Sequence, residues 1–354
     1  MSYVEILNSH GLTVTQWDNS IFKTYLGQTR WKLFSGMDSN SIIQVKERLM
    51  KEPGDSITIG LRGRLVGGRV DGGAKGAGNE GSVAFYNQNI TIDMYRRLVK
   101  MVNVALSNQR VTFDVLVQAR EALEDEVAFD FDDDITDALT SVTTGKVQGR
   151  YLYGALDSNY NATHATALAN VDASNDMLTT KMISKAKRKA LNPVNATAKI
   201  RPVKIKTGKN QEEWFVFMGH TYAVRDLMDN DASWQNKLLN LTPQSAMSDS
   251  PFFSGSAFKG SNDGVLIYEY DRLPLEVGAG AGSIDVAHNL FLGAQAGAVV
   301  WGQRSKFAED DEDVHHDRIY EISEIRGISK LVFNRATPED NGIVHVFSAA
   351  VADA

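Results

Sequence analysis

Two segments of alternating apolar and polar residues, separated by a glycine-rich stretch, dominate the first hundred residues. In residues 56–66 the apolar positions alternate with polar residues or glycine, which predicts a strand with one apolar face formed by Ile57, Ile59, Leu61 and Leu65. Residues 83–94 predict a second strand, whose apolar positions change phase near 86–89 and so indicate a bulge. The sixteen residues between them, 67–82, include seven glycines. A two-stranded ribbon with such a tip is marginal in water, so we expect another chain to supply contacts.

The next pattern has the period of a long helix. Apolar residues recur at spacings of 7, 4, 4, 4, 4 and 3 along one stripe: Leu116, Leu123, Val127, Phe131, Ile135, Leu139 and Val142. The stripe predicts an amphipathic helix over 113–143, about 45 Å long. Residues 121–137 of this helix contain nine acids and no base.

The remaining patterns mix helices and strands and predict an α+β fold. Helices are predicted at 176–191 and 221–239, and strands at 200–206, 214–218, 264–270 and 319–333. A terminal strand, 343–347, is expected to pair back after the turn at 340–342. Residues 1–50 resemble an arm whose dense aromatic residues need a surface, either on a neighbouring subunit or in the chain's own core.

Composition excludes several classes of protein. The chain has no cysteine, which excludes disulfides, zinc thiolates and thiol catalysis. No apolar run approaches the roughly 20 residues that cross a bilayer, and the first residues lack the pattern of a secretory signal. We therefore expect folding in a cytoplasm and no membrane partner.

Charge is unevenly distributed along the chain. The net charge is −7, yet residues 181–209 hold ten bases and no acid, in contrast to the acidic run at 121–137. Such blocks predict complementary patches between subunits, and the alternative is that each block is a solvated face. The overall acidity argues against a dedicated nucleic-acid binder.

No motif occurs in the context that catalysis or ligand binding requires. Residues 76–81 match G-x-G-x-x-G, but a strand rather than a helix is predicted to follow them. His315 and His316 lie among acidic residues that could bind a divalent ion, although the ligand spacing is irregular and an exposed acidic loop is the alternative. We therefore predict no catalytic, cofactor-binding or metal-binding residue, and no enzymatic activity.

The order of these elements, together with local sequence, resembles a known family. The matching stretches are GDSITIGLRGRLVG (54–67), NITIDMYRR (89–97), WFVFMGHTYAVRDLMDND (214–231), SPFFSGSAFKGSNDGVLIYEY (250–270), NLFLGAQAGAVVWGQ (289–303) and RGISKLVFN (326–334). They resemble the major capsid protein of tailed bacteriophages, which has the Hong Kong 97-type fold. The amino-acid sequences of these stretches are most similar to the capsid family of N-four-like short-tailed phages.

The resemblance implies a domain organisation. The expected parts are an N-terminal arm (1–50), an extended β-hairpin loop (51–95) with its tip at 67–82, a peripheral domain (96–204) that includes the spine helix 113–143, an axial domain (205–305) and return strands of the peripheral domain (306–354).

The resemblance also implies a function and partners. The chain is expected to assemble into hexamers and pentamers of an icosahedral phage head that encloses double-stranded DNA. Its expected partners are copies of itself, a portal protein, a separate scaffolding protein, a cement protein and the packaged DNA. The expected location is the virion, after assembly in the host cytoplasm. Contacts between subunits are expected at Trp17, Phe22, Tyr25, Trp31, Arg62, Arg64, Arg69, Lys75 and Glu80. The alternatives are an encapsulin-type compartment shell and a metal-dependent enzyme.

Overall fold

The chain forms two compact units, which are described separately. The computed structural model describes residues 31–51, 53–73, 75–110, 114–143, 146–193, 198–207, 210–232, 234, 257–312, 316–335 and 337–351. Within these residues the smaller unit comprises Tyr95–Phe129 and Ser305–Glu324, and the larger unit takes the rest.

The described residues form short helices, one long helix and three sheets. The α-helices are α1 (Trp31–Phe34), α2 (Val104–Arg110), α3 (Val115–Thr140), α4 (His164–Leu168), α5 (Thr180–Leu191) and α6 (Thr221–Asn230). The strands are β1 (Ser35–Gly36), β2 (Ile43–Lys46), β3 (Ser56–Val66), β4 (Ser82–Thr91), β5 (Asp93–Met101), β6 (Tyr151–Tyr153), β7 (Val203–Thr207), β8 (Asn210–Gly219), β9 (Phe258–Asn262), β10 (Val265–Glu269), β11 (Leu275–Glu276), β12 (Val286–Leu292), β13 (Gly297–Glu312), β14 (Asp317–Lys330) and β15 (Ile343–Ala349).

The hairpin predicted from alternation is present as β3 and β4. The two strands pair antiparallel from Ser56 opposite Thr91 to Val66 opposite Ser82. The register is continuous through 86–89, so the bulge predicted in the return strand is wrong. The register shift lies instead on the outgoing strand, between Arg62 and Leu65. It inserts one extra residue there and increases the local twist of the ribbon.

The long helix α3 begins at Val115 and ends at Thr140, which makes it about 39 Å long. The carboxylate of Asp114 accepts a hydrogen bond from the backbone N–H of Leu116 (2.9 Å) and so caps the first turn. Of the predicted stripe, Leu123, Ile135 and Leu139 are buried. Leu116, Val127 and Phe131 are half-buried, and Val142 lies beyond the helix end and is exposed, so the stripe predicted the buried face within α3 but not its end.

An eight-stranded sheet forms the centre of the larger unit. Its strand order is β6-β15-β12-β8-β10-β9, with β11 beside β12 and β7 beside β8. Alternate residues of β8 enter two different apolar clusters: Val216 and Met218 pack in one, Phe215 and Phe217 in the other. Both faces of the sheet are therefore covered, which explains the continuous apolar runs of its strands.

The last strand does not pair where the sequence indicated. β15 pairs antiparallel with β12 and parallel with β6, so the expectation that residues 343–347 pair back onto 319–333 is wrong. Its partner β6 lies outside the strands that the sequence predicted. Every residue of β15 and β6 is buried.

A second sheet begins with β1 and β2, which lie in the stretch predicted as the arm. β2 pairs in parallel with β1 and β13 and is followed by a 3-10 turn at Arg48–Met50. Nearby, the side-chain amide of Asn40 donates to the carbonyl of Lys204 (2.7 Å) and accepts from its N–H (2.8 Å). The Asn40 side chain thus bonds to β7 as a neighbouring strand would.

The smaller unit packs the first half of α3 on a sheet. Its sheet strands are β5, the start of β14 and the end of β13. Leu123 of the helix packs with Tyr320 and Ile322 of β14, and Phe307 of β13 completes the cluster.

Candidate assembly interface

The base of the hairpin packs on the core of the larger unit. Ile59 and Ile90 are buried on one face of the ribbon. They share an apolar cluster with Val300 of β13 and with Leu331 and Phe333, which follow β14. Ile57, Ile59 and Leu61 share this inner face as predicted, but the prediction for Leu65 is wrong, because the register shift after Arg62 turns it to the outer face.

Hydrogen bonds hold the same end of the ribbon in place. The Gln88 side chain donates to the carbonyl of Lys330 (2.8 Å) and accepts from the backbone N–H groups of Val332 (2.8 Å) and Phe333 (3.0 Å). One residue earlier, the Asn87 backbone N–H donates to the Asn334 side chain (2.7 Å). The ribbon therefore leaves the larger unit from a fixed base.

The distal outer face of the ribbon is apolar and exposed. Phe85 is opposite Arg62, and Val83 is opposite Leu65, so these four side chains share one face. Phe85 is 75% exposed, Leu65 62% and Val83 37%. A contiguous exposed patch of large apolar residues marks an interaction site. We call Leu65, Val83 and Phe85 the ribbon patch.

The charged residues predicted to contact other subunits lie along the same ribbon and its tip. Arg62, Arg64, Arg69, Lys75 and Glu80 are all exposed. Arg69 pairs with Asp71, and the Glu80 carboxylate accepts a hydrogen bond from the Gly78 backbone N–H (2.9 Å). The tip thus has local order of its own and still presents its cationic groups to solvent.

Of the four aromatic residues of the arm predicted to contact other subunits, Trp31 lies within the described part of the chain. Trp17, Phe22 and Tyr25 lie outside the described residues. Trp31 is completely buried in the core of its own chain, where its indole N–H donates to Thr136 (2.8 Å). Of the two surfaces considered for these aromatic residues, Trp31 occupies the chain's own core and offers no surface to a neighbour.

The acidic run of α3 is largely paired within its own chain. The pairs are Glu124 with Arg120, Glu126 with Arg97, Asp133 with Arg272 and Asp134 with Arg326. Asp132 is buried and accepts a hydrogen bond from the Tyr270 hydroxyl (2.9 Å). These acids therefore make contacts within their own chain, while Glu124, Glu126 and Asp133 stay about half exposed.

The basic run is partly neutralised in the same way. Lys189 and Lys185 lie 2.8 and 3.4 Å from the carboxylate of Asp157, and Lys187 lies 3.0 Å from that of Asp263. Burial alone would raise the pKa of Asp157, but the hydrogen bond and charge of Lys189, together with Lys185, lower it. The lysines of α5 therefore stabilise their own unit.

The described residues hold no group of three or more His, Asp or Glu side chains arranged to bind a metal ion. His315 lies outside them, and the His316 ring contacts the Asp317 carboxylate beside it (3.1 Å). The G-x-G-x-x-G stretch lies between β3 and β4, so a strand follows it and no helix N-terminus is available for a phosphate. None of the described helices combines the length and apolar character needed to cross a membrane.

Solved structures with the same fold are phage capsids. The cyanophage Pam1 capsid is similar over 100% of both chains, with a TM-score of 0.81 and 24% identity. The capsid of Ralstonia phage GP4 covers 100% of both chains, with a TM-score of 0.74 and 19% identity. The acidic stable capsid of Helicobacter pylori bacteriophage KHP30 has a TM-score of 0.70 and 13% identity, over 98% of this chain and 100% of that one. The fold is therefore the α+β Hong Kong 97-type capsid fold, as predicted.

The sequence itself gives the family. The family model described as phage capsid protein matches residues 6–352, so the chain belongs to the phage capsid protein family. It is a structural major capsid protein of a phage head and a component of the virion, as the sequence resemblance implied. No curated protein sequence matches it.

The ribbon patch is the feature that sequence reasoning missed. Val83 and Phe85 occupy odd positions of the return strand, whereas Ile90 and Ile92 occupy even ones. From the sequence alone this change of phase predicts a bulge. The pairing shows that the strand has two apolar faces, one on the core and one in solvent. The phase change was the available signal.

Proposed function

We propose that the chain assembles into hexamers and pentamers of an icosahedral head around double-stranded DNA, and that the β3–β4 ribbon is a principal contact between copies. Weak contacts of one kind, repeated by symmetry, stabilise such a shell. In this proposal residues 51–95 act as the extended loop and α3 acts as the spine helix.

The exposed ribbon patch is the observation that carries the proposal. Three large apolar side chains lie together on a two-stranded ribbon whose opposite face is already used by the core. Leaving them in water costs free energy that a neighbouring copy would recover by covering them. The base fixed by Gln88 presents the patch in one orientation, which lowers the ordering cost of docking.

Charge favours the smaller unit of a second copy as the receiving surface. Residues 95–129 and 305–324 hold thirteen acids and seven bases, whereas residues 56–91 hold four bases and two acids. Arg62, Arg64 and Lys75 form no ion pair within the described residues, so they are available to that acidic surface. Electrostatic complementarity of this kind sets orientation and speeds association.

The test is a chain whose ribbon is shortened. Replacing residues 67–81 with Asn-Gly closes the hairpin directly after the last observed pair, Val66 with Ser82. Negative-stain electron microscopy should show shells or capsomer rings for the native chain and dispersed subunits for the shortened one. A tip of the same length and composition but shuffled order is the matched control, which separates length from sequence. Normal shells from the shortened chain would contradict the proposal.

Further partners follow from the same role. We propose that a portal protein, a separate scaffolding protein and a cement protein bind the assembling shell, that DNA is contacted without sequence preference, and that assembly takes place in the host cytoplasm. The chain acts by binding and not by catalysis. Co-expression with the neighbouring genes, followed by imaging of the particles and their contents, tests these partners and distinguishes a DNA-filled head from other shells.

A further inference from the structure

Three histidines, two of them buried and one half-buried, lie on or beside the eight-stranded sheet, away from the ribbon. His288 is on β12, His345 on β15 and His164 on α4. The His345 ring stacks on Tyr151 of β6 (centroids 4.6 Å apart), and the His288 ring lies 4.3 Å from that of Phe347. His288 and His345 are both buried.

The first pair, His288 and His345, shares one hydrogen bond between its two rings. His288 Nε2 lies 2.8 Å from His345 Nδ1, and His345 Nε2 lies 3.3 Å from the Asp340 carboxylate. His345 Nε2 lies at ion-pair distance from the carboxylate without a hydrogen bond of good geometry, and a proton there leaves Nδ1 to accept from His288. A second proton on His345 would sit on Nδ1 and point directly at the N–H of His288.

A second directed chain ends on the third histidine. The Lys146 ammonium donates to the Tyr153 hydroxyl (2.6 Å), whose oxygen lies 2.7 Å from His164 Nδ1. The hydroxyl accepts from the lysine and can donate its own proton to His164 Nδ1, and in that tautomer His164 is neutral with its proton on Nε2. Protonation of Nδ1 would break the chain.

Charged and polar groups from several elements face this cluster. Asp340 accepts from Tyr151 (3.0 Å) and Thr143 (2.7 Å) and pairs with Lys330 at the end of β14 (2.8 Å). The Lys330 ammonium also donates to the carbonyl of Ser141, just beyond α3. Next to this network are the buried ion pairs of Glu339 with Arg335 and Arg150. The cluster thus joins α3, β14, β6, β12 and β15.

We propose that His164, His288 and His345 form an acid-sensitive lock, which holds these elements together at neutral pH and loosens when the histidines take up protons. In this arrangement His345 Nδ1 and His164 Nδ1 each accept a hydrogen bond, so a proton on either nitrogen breaks one. In the unfolded chain each histidine is free to become charged.

The direction of the pKa shifts agrees with the geometry. Burial lowers the pKa of His164 to about 4, and burial lowers the pKa values of His288 and His345 as well. A histidine with a lowered pKa stabilises the fold above its ordinary value of about 6.5 and loses that contribution as pH falls toward the folded value. Each one should raise the unfolding equilibrium constant about tenfold per pH unit in this window. His220, outside the cluster, is shifted the same way by burial and adds to the total.

The test compares the pH dependence of urea unfolding for the full-length soluble chain between pH 7.5 and 5. The variants His164→Gln and His288→Gln keep a hydrogen-bonding group but cannot take up the proton. As the pH falls, the unfolding constant of each variant should rise about tenfold less per pH unit than that of the native chain. The control is His316→Gln, because the His316 ring is about half exposed and lies outside the cluster, and a loss of pH dependence as large as that of the two variants would contradict the proposal.

A second measurement covers the case in which a variant does not fold. Histidine ring signals of the native chain, followed by nuclear magnetic resonance, should show the cluster neutral down to pH 5.5. Cluster histidines that become charged near pH 6.5 without loss of structure would overturn the proposal. So would His164→Gln and His288→Gln variants that fold and keep the native pH dependence.

Discussion

Replacing Phe85 with alanine should weaken assembly without weakening the folded subunit. Phe85 is 75% exposed in the isolated chain, and its ring lies on the ribbon face that does not touch the core. Complete burial of a phenylalanine side chain is worth about 1.5–3 kcal/mol, so covering this ring in a shell contributes about 2 kcal/mol per subunit. Each subunit donates one ribbon, and the concentration of free subunit in equilibrium with shells should therefore rise about 30-fold.

The assay is the concentration of unassembled subunit left after shells form, measured by sedimentation across a dilution series. Val277→Ala is the matched control, because Val277 is 78% exposed and lies outside the ribbon. Urea unfolding of the Phe85→Ala chain should match the native chain, which separates an assembly defect from a folding defect. A free-subunit concentration within twofold of the native value would refute the role of the ribbon patch.

Three further predictions concern charge and buried polar groups. Raising the salt concentration from 0.1 to 1 M should raise the free-subunit concentration, because it screens attraction between the basic ribbon and an acidic neighbour; no change would remove electrostatics from the contact. Tyr270→Phe removes the donor to buried Asp132 and should lower the free energy of unfolding by about 1–3 kcal/mol in urea, whereas an unchanged value would mean that the Asp132 carboxylate has adequate partners without it. Asp340→Asn leaves Lys330 buried without its partner and should cost about 3–5 kcal/mol by the same assay. Burial would raise the pKa of Asp340, but its contact with His345 and the charge of Lys330 hold the pKa well below the ordinary value of about 3.9. The stability that the Asp340 carboxylate contributes to the native chain is therefore present above that pH and is lost in stronger acid.

Local periodicity was sufficient for the elements that are regular over many residues. The alternation in 56–66 predicted β3, and the stripe from Leu116 to Leu139 predicted α3, because each side chain's environment repeats with the geometry of its own element. The resemblance of longer stretches then predicted the fold and the family.

Pairing between distant strands could not be derived in this way. Every residue of β15 is buried, so its sequence has no alternation that would indicate which strand lies beside it. The ribbon patch was not predicted from the sequence for a related reason. Val83 and Phe85 were assumed to face the same core as Ile90, and a second apolar face is expected only when a partner chain is considered.

The buried network was not predictable because its members are ordinary residues far apart in the chain. His288 and His345 are isolated in the sequence, and nothing near either of them indicates Asp340 or Tyr151 as a neighbour. The antiparallel register of β12 and β15 places His288 and His345 at diagonal positions, which brings their two rings together. Such a site follows from sheet register, which a single sequence does not specify.

The side chain of Asn40 has a consequence for the solubility of a protein that must become concentrated. An open edge of a β-sheet is a template for strands of other molecules, and crowded subunits meet such edges often. By satisfying both backbone groups of Lys204, Asn40 fills the position that a foreign strand would need on β7. A single amide thereby protects this position of the edge against strand addition.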